Sequence, residues 1–145
     1  CTIAGGINIA SDLPSKEVDP EWIITQNPDI IVKAVSQTSV SCGYDEDNVA
    51  EMKVLWDKIV SRPGFANVKA VKNGKVYLLA ADIGHGSTYF VGVTYMAKWF
   101  HPELFEDLDP QAIHQEYLTR FQRLDYDLDK HGVFVYHPEE HPDGK

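Results

Sequence analysis

Apolar positions along this chain fall into short blocks, each opened or closed by Pro, Gly or Asn. The first clear block begins at Val18-Asp19-Pro20-Glu21-Trp22-Ile23. Asp19 is placed to cap a helix, and Pro20 suits the first helical position, where its missing N–H costs nothing. Val18 and Ile23 stand at the positions of a hydrophobic staple. The helix must stop by Asn27, because Pro28 disfavours helical geometry in the residue before it. Asp29-Ile30-Ile31-Val32 then reads as a short buried strand of the parallel kind. Residues 36–48, "SQTSVSCGYDEDN", form a polar loop after that strand's C-terminal end, where open α/β sheets place their ligands. Val49, Met52, Leu55, Trp56, Ile59 and Val60 make a helical stripe, closed by Arg62-Pro63-Gly64.

The second half repeats the alternation. Residues 71–76 predict a hairpin with Asn73-Gly74 as its two-residue turn, and 76–80 a second strand. A Gly-rich loop, "DIGHGS" over 82–87, leaves that strand. Residues 88–100 are apolar almost all round and predict a buried helix. His101-Pro102 closes it. Leu108-Asp109-Pro110 repeats the cap-and-proline start, and Ile113, Tyr117, Phe121 and Leu124 give its helix one apolar face. From Asp125 onward the chain holds one apolar patch, 133–136, and a polar end. Strands alternating with helices predict an α/β fold, with few strands for a complete sheet. The opening has no initiator Met, signal peptide or lipobox before Cys1. Gly5-Gly6 after a short apolar run suits a helix C-cap or a strand end. The chain therefore reads as a piece of a longer protein.

The 145 residues are one domain's worth, and 43% apolar content is enough for a core without a metal or disulfide staple. No apolar run reaches the length of a membrane span. With 13 basic and 22 acidic residues the net charge is −9, which argues against nucleic acid or an anionic membrane surface as the main partner. Cys1 and Cys42 make no zinc spacing and no CxxC, and form one disulfide or none.

Several stretches, in order, resemble a known family. They are Ala4-Gly5-Gly6-Ile7-Asn8-Ile9-Ala10, the block from Val18 to Ile24 running into Asn27-Pro28-Asp29-Ile30-Ile31-Val32, then 70–77 ("AVKNGKVY") and 97–105 ("AKWFHPELF"). Together they resemble the C-terminal lobe of the substrate-binding proteins of ABC importers for iron–siderophore, haem and cobalamin. The resemblance covers residues 4–105. It implies a three-layer αβα lobe with a small, mostly parallel central sheet, which is half of a two-lobed receptor. A strand and the linking helix would precede Cys1. It assigns 1–124 to the lobe and 125–145 to a partly flexible C-terminal extension, and it implies an extracytoplasmic, membrane-anchored location. An isolated lobe of this kind has a sheet edge open to pairing with a second copy.

The resemblance also assigns roles. It implies that Glu21 projects from the lobe's rim to meet arginines of the permease, a charge-assisted docking contact. At the second helical position Glu21 equally complements the helix dipole. The loop Gly84-His85-Gly86-Ser87-Thr88-Tyr89 opens a helix, where backbone N–H groups favour anionic ligand groups. His85, Ser87 and Tyr89 are its candidate contacts, and no Arg stands among them. Tyr44 and Lys33, with Ser36, Ser39 and Asp45, stand on the second wall. Each of these residues has a plain reading as loop or strand-end surface. "HPEEH" at 137–141 is not HExxH, and Pro138 interrupts any helix through it, so no metal site is assigned. His101 and His114 read as helix-end and surface residues. The expected function is capture of a metal chelate, with no catalytic residue and no resident cofactor. The alternative is a small α/β enzyme or metal-dependent hydrolase working through "GHGSTY"; against it, no GxSxG elbow is present.

Overall fold

The computed structural model describes residues 1–13 and 18–140. Helix α1 (Pro20–Gln26) starts where the Asp-Pro pair places it, with the Asp19 carboxylate accepting from the Glu21 N–H at 2.7 Å. Asn27 ends the helix in the left-handed conformation, and its side-chain oxygen accepts from the Lys69 N–H at 2.9 Å. One residue thus stops α1 and holds the start of the short helix α3 (Lys69–Lys72).

Strand β1 (Ile31–Val35) pairs in parallel with β2 (Val76–Ala80), from Ile31 opposite Val76 to Val35 opposite Ala80. A two-residue strand, β3 (Val135–Tyr136), pairs antiparallel on the other side of β2. Paired residues share a face, so Val76, Leu78 and Tyr136 lie together on one side. There Trp56, on helix α2 (Ala50–Val60), meets the Tyr136 ring edge-on and donates to the Val76 carbonyl at 2.8 Å. On the opposite face Tyr77 stacks on Trp99 of helix α5 (Tyr89–Phe100), with ring centroids 4.4 Å apart. A helix over each face of the sheet makes the three-layer αβα arrangement that was expected.

Four expectations need correction. Asn73-Gly74 does not turn a hairpin. Val68 and Ala70 are buried in and beside α3, Gly74 has φ 64°, and the Lys75 N–H bonds the Ala70 carbonyl at 2.7 Å. The same positive φ serves a helix C-terminus and a hairpin, and here the chain leaves a helix to run parallel to β1. Strand β1 is parallel but not buried throughout: it pairs on one side only, and Lys33 and Ala34 are exposed. The Gly-rich stretch 82–87 is not an open loop but two tight turns, helix α4 (Ala81–Gly84) and a 3₁₀ turn at Gly86–Thr88. Helix α6 (Pro110–Glu116), capped by Asp109, buries Pro110, His114 and, in the π turn Tyr117–Phe121, Leu118. Phe121 and Leu124, expected on the buried face, are 70% and 52% exposed. The π turn advances the chain out of α-helical phase, and the line that reaches the core runs 110, 114, 118.

The stretch 133–137, which the sequence places in the C-terminal extension, is buried and completes the sheet. His137 lies on the Tyr77 ring, and its Nε2 is 2.6 Å from the Gly74 carbonyl. His141 of the "HPEEH" stretch lies outside the described residues.

Candidate functional site

Parallel pairing brings the C-terminal ends of β1 and β2 side by side at Val35 and Ala80. Two walls rise from there: loop 36–48 from β1, and the double turn 81–88 from β2. Gln37 Nε2 donates to Asp82 Oδ2 at 2.7 Å and ties one wall to the other. Gly43 lies against this tie with φ 94°, where a methyl group would overlap both Asp82 Oδ2 and Gln37 Nε2. Its N–H and carbonyl both bond Val133, so the loop is pinned to the C-terminal segment as well. Replacing Gly43 by alanine is expected to cost about 1–2 kcal/mol of left-handed strain, plus the Gln37–Asp82 bond. Urea unfolding of G43A checks this; an unchanged midpoint would mean the loop is free to move off the tie.

Burial raises the Asp82 carboxyl above its usual range, the Gln37 hydrogen bond works against that, and Asp45 adds to it. Cys42 is buried beneath the same loop, and burial, then Asp82 and Glu46, pushes its thiol up. It is therefore a poor nucleophile. Both cysteines are free thiols.

Of the residues singled out in the sequence, His85 and Ser87 are exposed on the 81–88 turn and Tyr89 is exposed directly after it. The His85 ring is anchored through Nδ1 to the Ala81 carbonyl at 3.2 Å, and Tyr89 is half exposed at the start of α5. Lys33 is exposed, but within β1 opposite Leu78 rather than past the strand's end. Tyr44 points its hydroxyl inward, 2.8 Å from His114 Nε2, with its ring packed edge-on against His114, Tyr126 and Phe134. Burial drives its phenol up to about 12. Glu21 is exposed on the first turn of α1, away from any ion pair among the described residues.

Three polar residues escaped the sequence reading. Gln37 and Asp82 carry no motif, and their pairing spans 45 positions. His114, expected on the surface, is 2% exposed, and burial lowers its pKa to about 4. Its four-residue spacing from the buried Pro110 and Leu118 was the available signal. Behind loop 36–48, between α5, α6 and residues 128–135, lies a cavity of about 300 Å³ lined by His114, Tyr95 and Phe134 among others. Among the described residues no group of three His, Cys, Asp or Glu is placed to hold a metal ion, and no helix is long and apolar enough to cross a membrane.

Residues 2–83 match a protein family described as "Periplasmic binding protein". The chain is also similar to a crystal structure titled as the TroA-like periplasmic binding protein FepB from Veillonella parvula. The two share 28% identity with a TM-score of 0.77, over 94% of this chain and 40% of that one. The chain thus spans less than half the length of that structure. No curated protein matches it.

Proposed function

Because this chain belongs to the periplasmic binding protein family, we propose that it forms one ligand-binding wall of an extracytoplasmic receptor. On this reading the receptor delivers an iron–siderophore or related metal chelate to an ABC permease, and the other wall is a second lobe. On the same reading residues 1–124 make the body of the lobe, and Val135 and Tyr136 add a strand to its sheet. The family is one of binding proteins, which sets aside the enzyme reading of "GHGSTY".

The observation that carries the proposal is the exposure of His85, Ser87 and Tyr89 on and directly after a turn that leaves the C-terminal end of β2 and is braced by Asp82 and Gln37. Thr88 strengthens the brace by donating to the Asp82 carbonyl at 2.5 Å. A rigid polar and aromatic rim of this kind contacts a bulky chelate without moving, which keeps the ordering cost of binding low. Lys33 and Tyr44 are weaker members of the site: one lies along an edge strand, and the other is turned into the interior.

The test is a fluorescence titration of the two-lobed polypeptide with a ferric catecholate, haem and cobalamin. Saturable quenching by one of them, weakened about tenfold or more in Y89A, is the expected result. No quenching by any of the three overturns the chelate assignment. For Glu21, the E21R variant is expected to keep the chelate affinity and to lose stimulation of the permease's ATPase. Stimulation equal to that of the unaltered protein would remove Glu21 from the docking surface.

A further inference from the structure

We propose that the cargo taken by this wall carries a cationic group, and that the wall disfavours chelates of high negative charge. The inference rests on the chelate reading above and narrows it to one class of chelate. Loop 36–48 holds Asp45, Glu46 and Asp47, the stretch 81–89 holds Asp82, and neither contains a Lys or Arg. These carboxylates do not define the site, which stands at the strand ends in a chain of the binding-protein family. They decide which cargo it accepts.

Nearby cations leave most of this charge standing. Asp47 is taken up by the C-terminal segment: it accepts from the Gly132 N–H at 3.1 Å and lies 3.0 Å from His131 Nδ1. Glu51 and Lys58 of α2 line one hollow with Ser39 and Val40, so their charges offset each other. Lys33 lies within β1, opposite Leu78. Asp45, Glu46 and Asp82 remain, and none of them is in an ion pair among the described residues. Asp45 is exposed. The Glu46 carboxylate accepts from the backbone N–H groups of Asp47 and Asn48, and that of Asp82 from the neutral amide of Gln37.

The remaining charges act on one region. Burial first, and then Asp45, hold the Asp82 carboxyl above its usual range against the pull of the Gln37 hydrogen bond. After burial, Asp82 and then Glu46 push up the Cys42 thiol beneath the loop. A carboxylate already opposed by a like charge is opposed further by an anionic ligand and relieved by a cation. The chemistry of iron chelates then separates them. Catecholate is doubly charged, so a ferric tris-catecholate is triply negative. Hydroxamate is singly charged, so a ferric trihydroxamate is neutral, and an ammonium arm makes it cationic. That last class complements the field of this wall.

The experiment titrates the two-lobed polypeptide, by quenching of its tryptophan fluorescence, with a linear ferric trihydroxamate bearing a free amine. The same chelate with that amine acetylated, and a ferric tris-catecholate, are titrated beside it. The expected order of affinity is amine, then acetylated, then catecholate, with the first two about threefold or more apart, as for one exposed charge pair. In D45N the amine-bearing chelate is expected to bind about threefold more weakly, while the acetylated one is unchanged. That contrast places the effect on this wall, because the second lobe is the same in both proteins. Equal affinities for the amine and acetylated chelates overturn the inference and leave the chelate reading standing, and that comparison needs no variant. Tighter binding of the catecholate does the same, as does a D45N variant that weakens both hydroxamates alike. Failure of all three probes where haem or cobalamin binds overturns this inference alone. Failure of all five overturns the chelate reading with it.

Discussion

Replacing Trp99 with alanine is expected to remove about 3–5 kcal/mol of stability, the range for deleting a buried aromatic. That is a large share of the roughly 5–15 kcal/mol a domain possesses. The Trp99 side chain is 5% exposed. One face stacks on Tyr77 at 4.4 Å, Tyr95 leans against it at 5.5 Å, and the indole Nε1 donates to Glu140 at 3.1 Å. Alanine leaves a cavity beside two aromatic rings and also releases the segment that follows β3. Urea unfolding followed by far-ultraviolet circular dichroism measures the loss. Phenylalanine at the same position keeps most of the stack and gives up only the indole donor, so W99F should cost about 1 kcal/mol. A loss under 1 kcal/mol for W99A would mean that this stack does not hold the sheet to α5.

Acid is expected to destabilise the chain across a window set by His114. Its native pKa, lowered to about 4 by burial, lies below the ordinary 6.5 of the unfolded chain. As pH falls below 6.5 the unfolded state takes up a proton that the native state refuses until about 4. Stability therefore declines across pH 6.5 to 4, and the loss, complete below 4, amounts to about 3 kcal/mol. The rings packed directly on it, Tyr44 and Phe134, offer no charge in that range. Carboxylates held below their usual range, Asp47, Glu51 and Asp127, lose their contribution lower in pH and do not fill the same window. The H114Q variant can still bond the Tyr44 hydroxyl but does not titrate. Its melting temperature should stay nearly level from pH 6.5 to 4.5 while that of the unaltered chain drops. Parallel declines in the two proteins would rule out His114 as the cause.

What the sequence disclosed follows the range of the interaction. The two Asp-Pro helix starts were legible because a cap and its proline are neighbours and act within one turn. Both parallel strands were legible as compact apolar runs between turn residues. Asn73-Gly74 misled because its local chemistry serves two turns, and a partner strand far away chose between them. The face of α6 misled because a π turn breaks the 3.6-residue phase that the reading assumed. Val133 to Tyr136 stood out as apolar, but their partner, β2, lies more than fifty positions earlier, beyond the reach of any local pattern. The candidate site divides in the same way. His85, Ser87 and Tyr89 lie within five residues of one another, and each is exposed. Tyr44 sits in a polar loop whose pattern gives no direction for each side chain, and packing turned it inward to His114. The Gln37–Asp82 tie joins two separate walls and left no trace in either.

The antiparallel strand β3 also sets the order in which the molecule can be finished. Ribosomes add residues at roughly 5–20 per second, and Val135 and Tyr136 are made more than fifty positions after the β2 edge they pair with. Until they emerge, the Leu78–Leu79 edge has no neighbour on that side, Tyr77 lacks the His137 ring, and Trp99 lacks Glu140. A nascent chain of this sequence therefore keeps that edge open and protease-sensitive until residues 135–140 are released, and it closes in one late step. A chain cut before residue 133 should stay in that unfinished state.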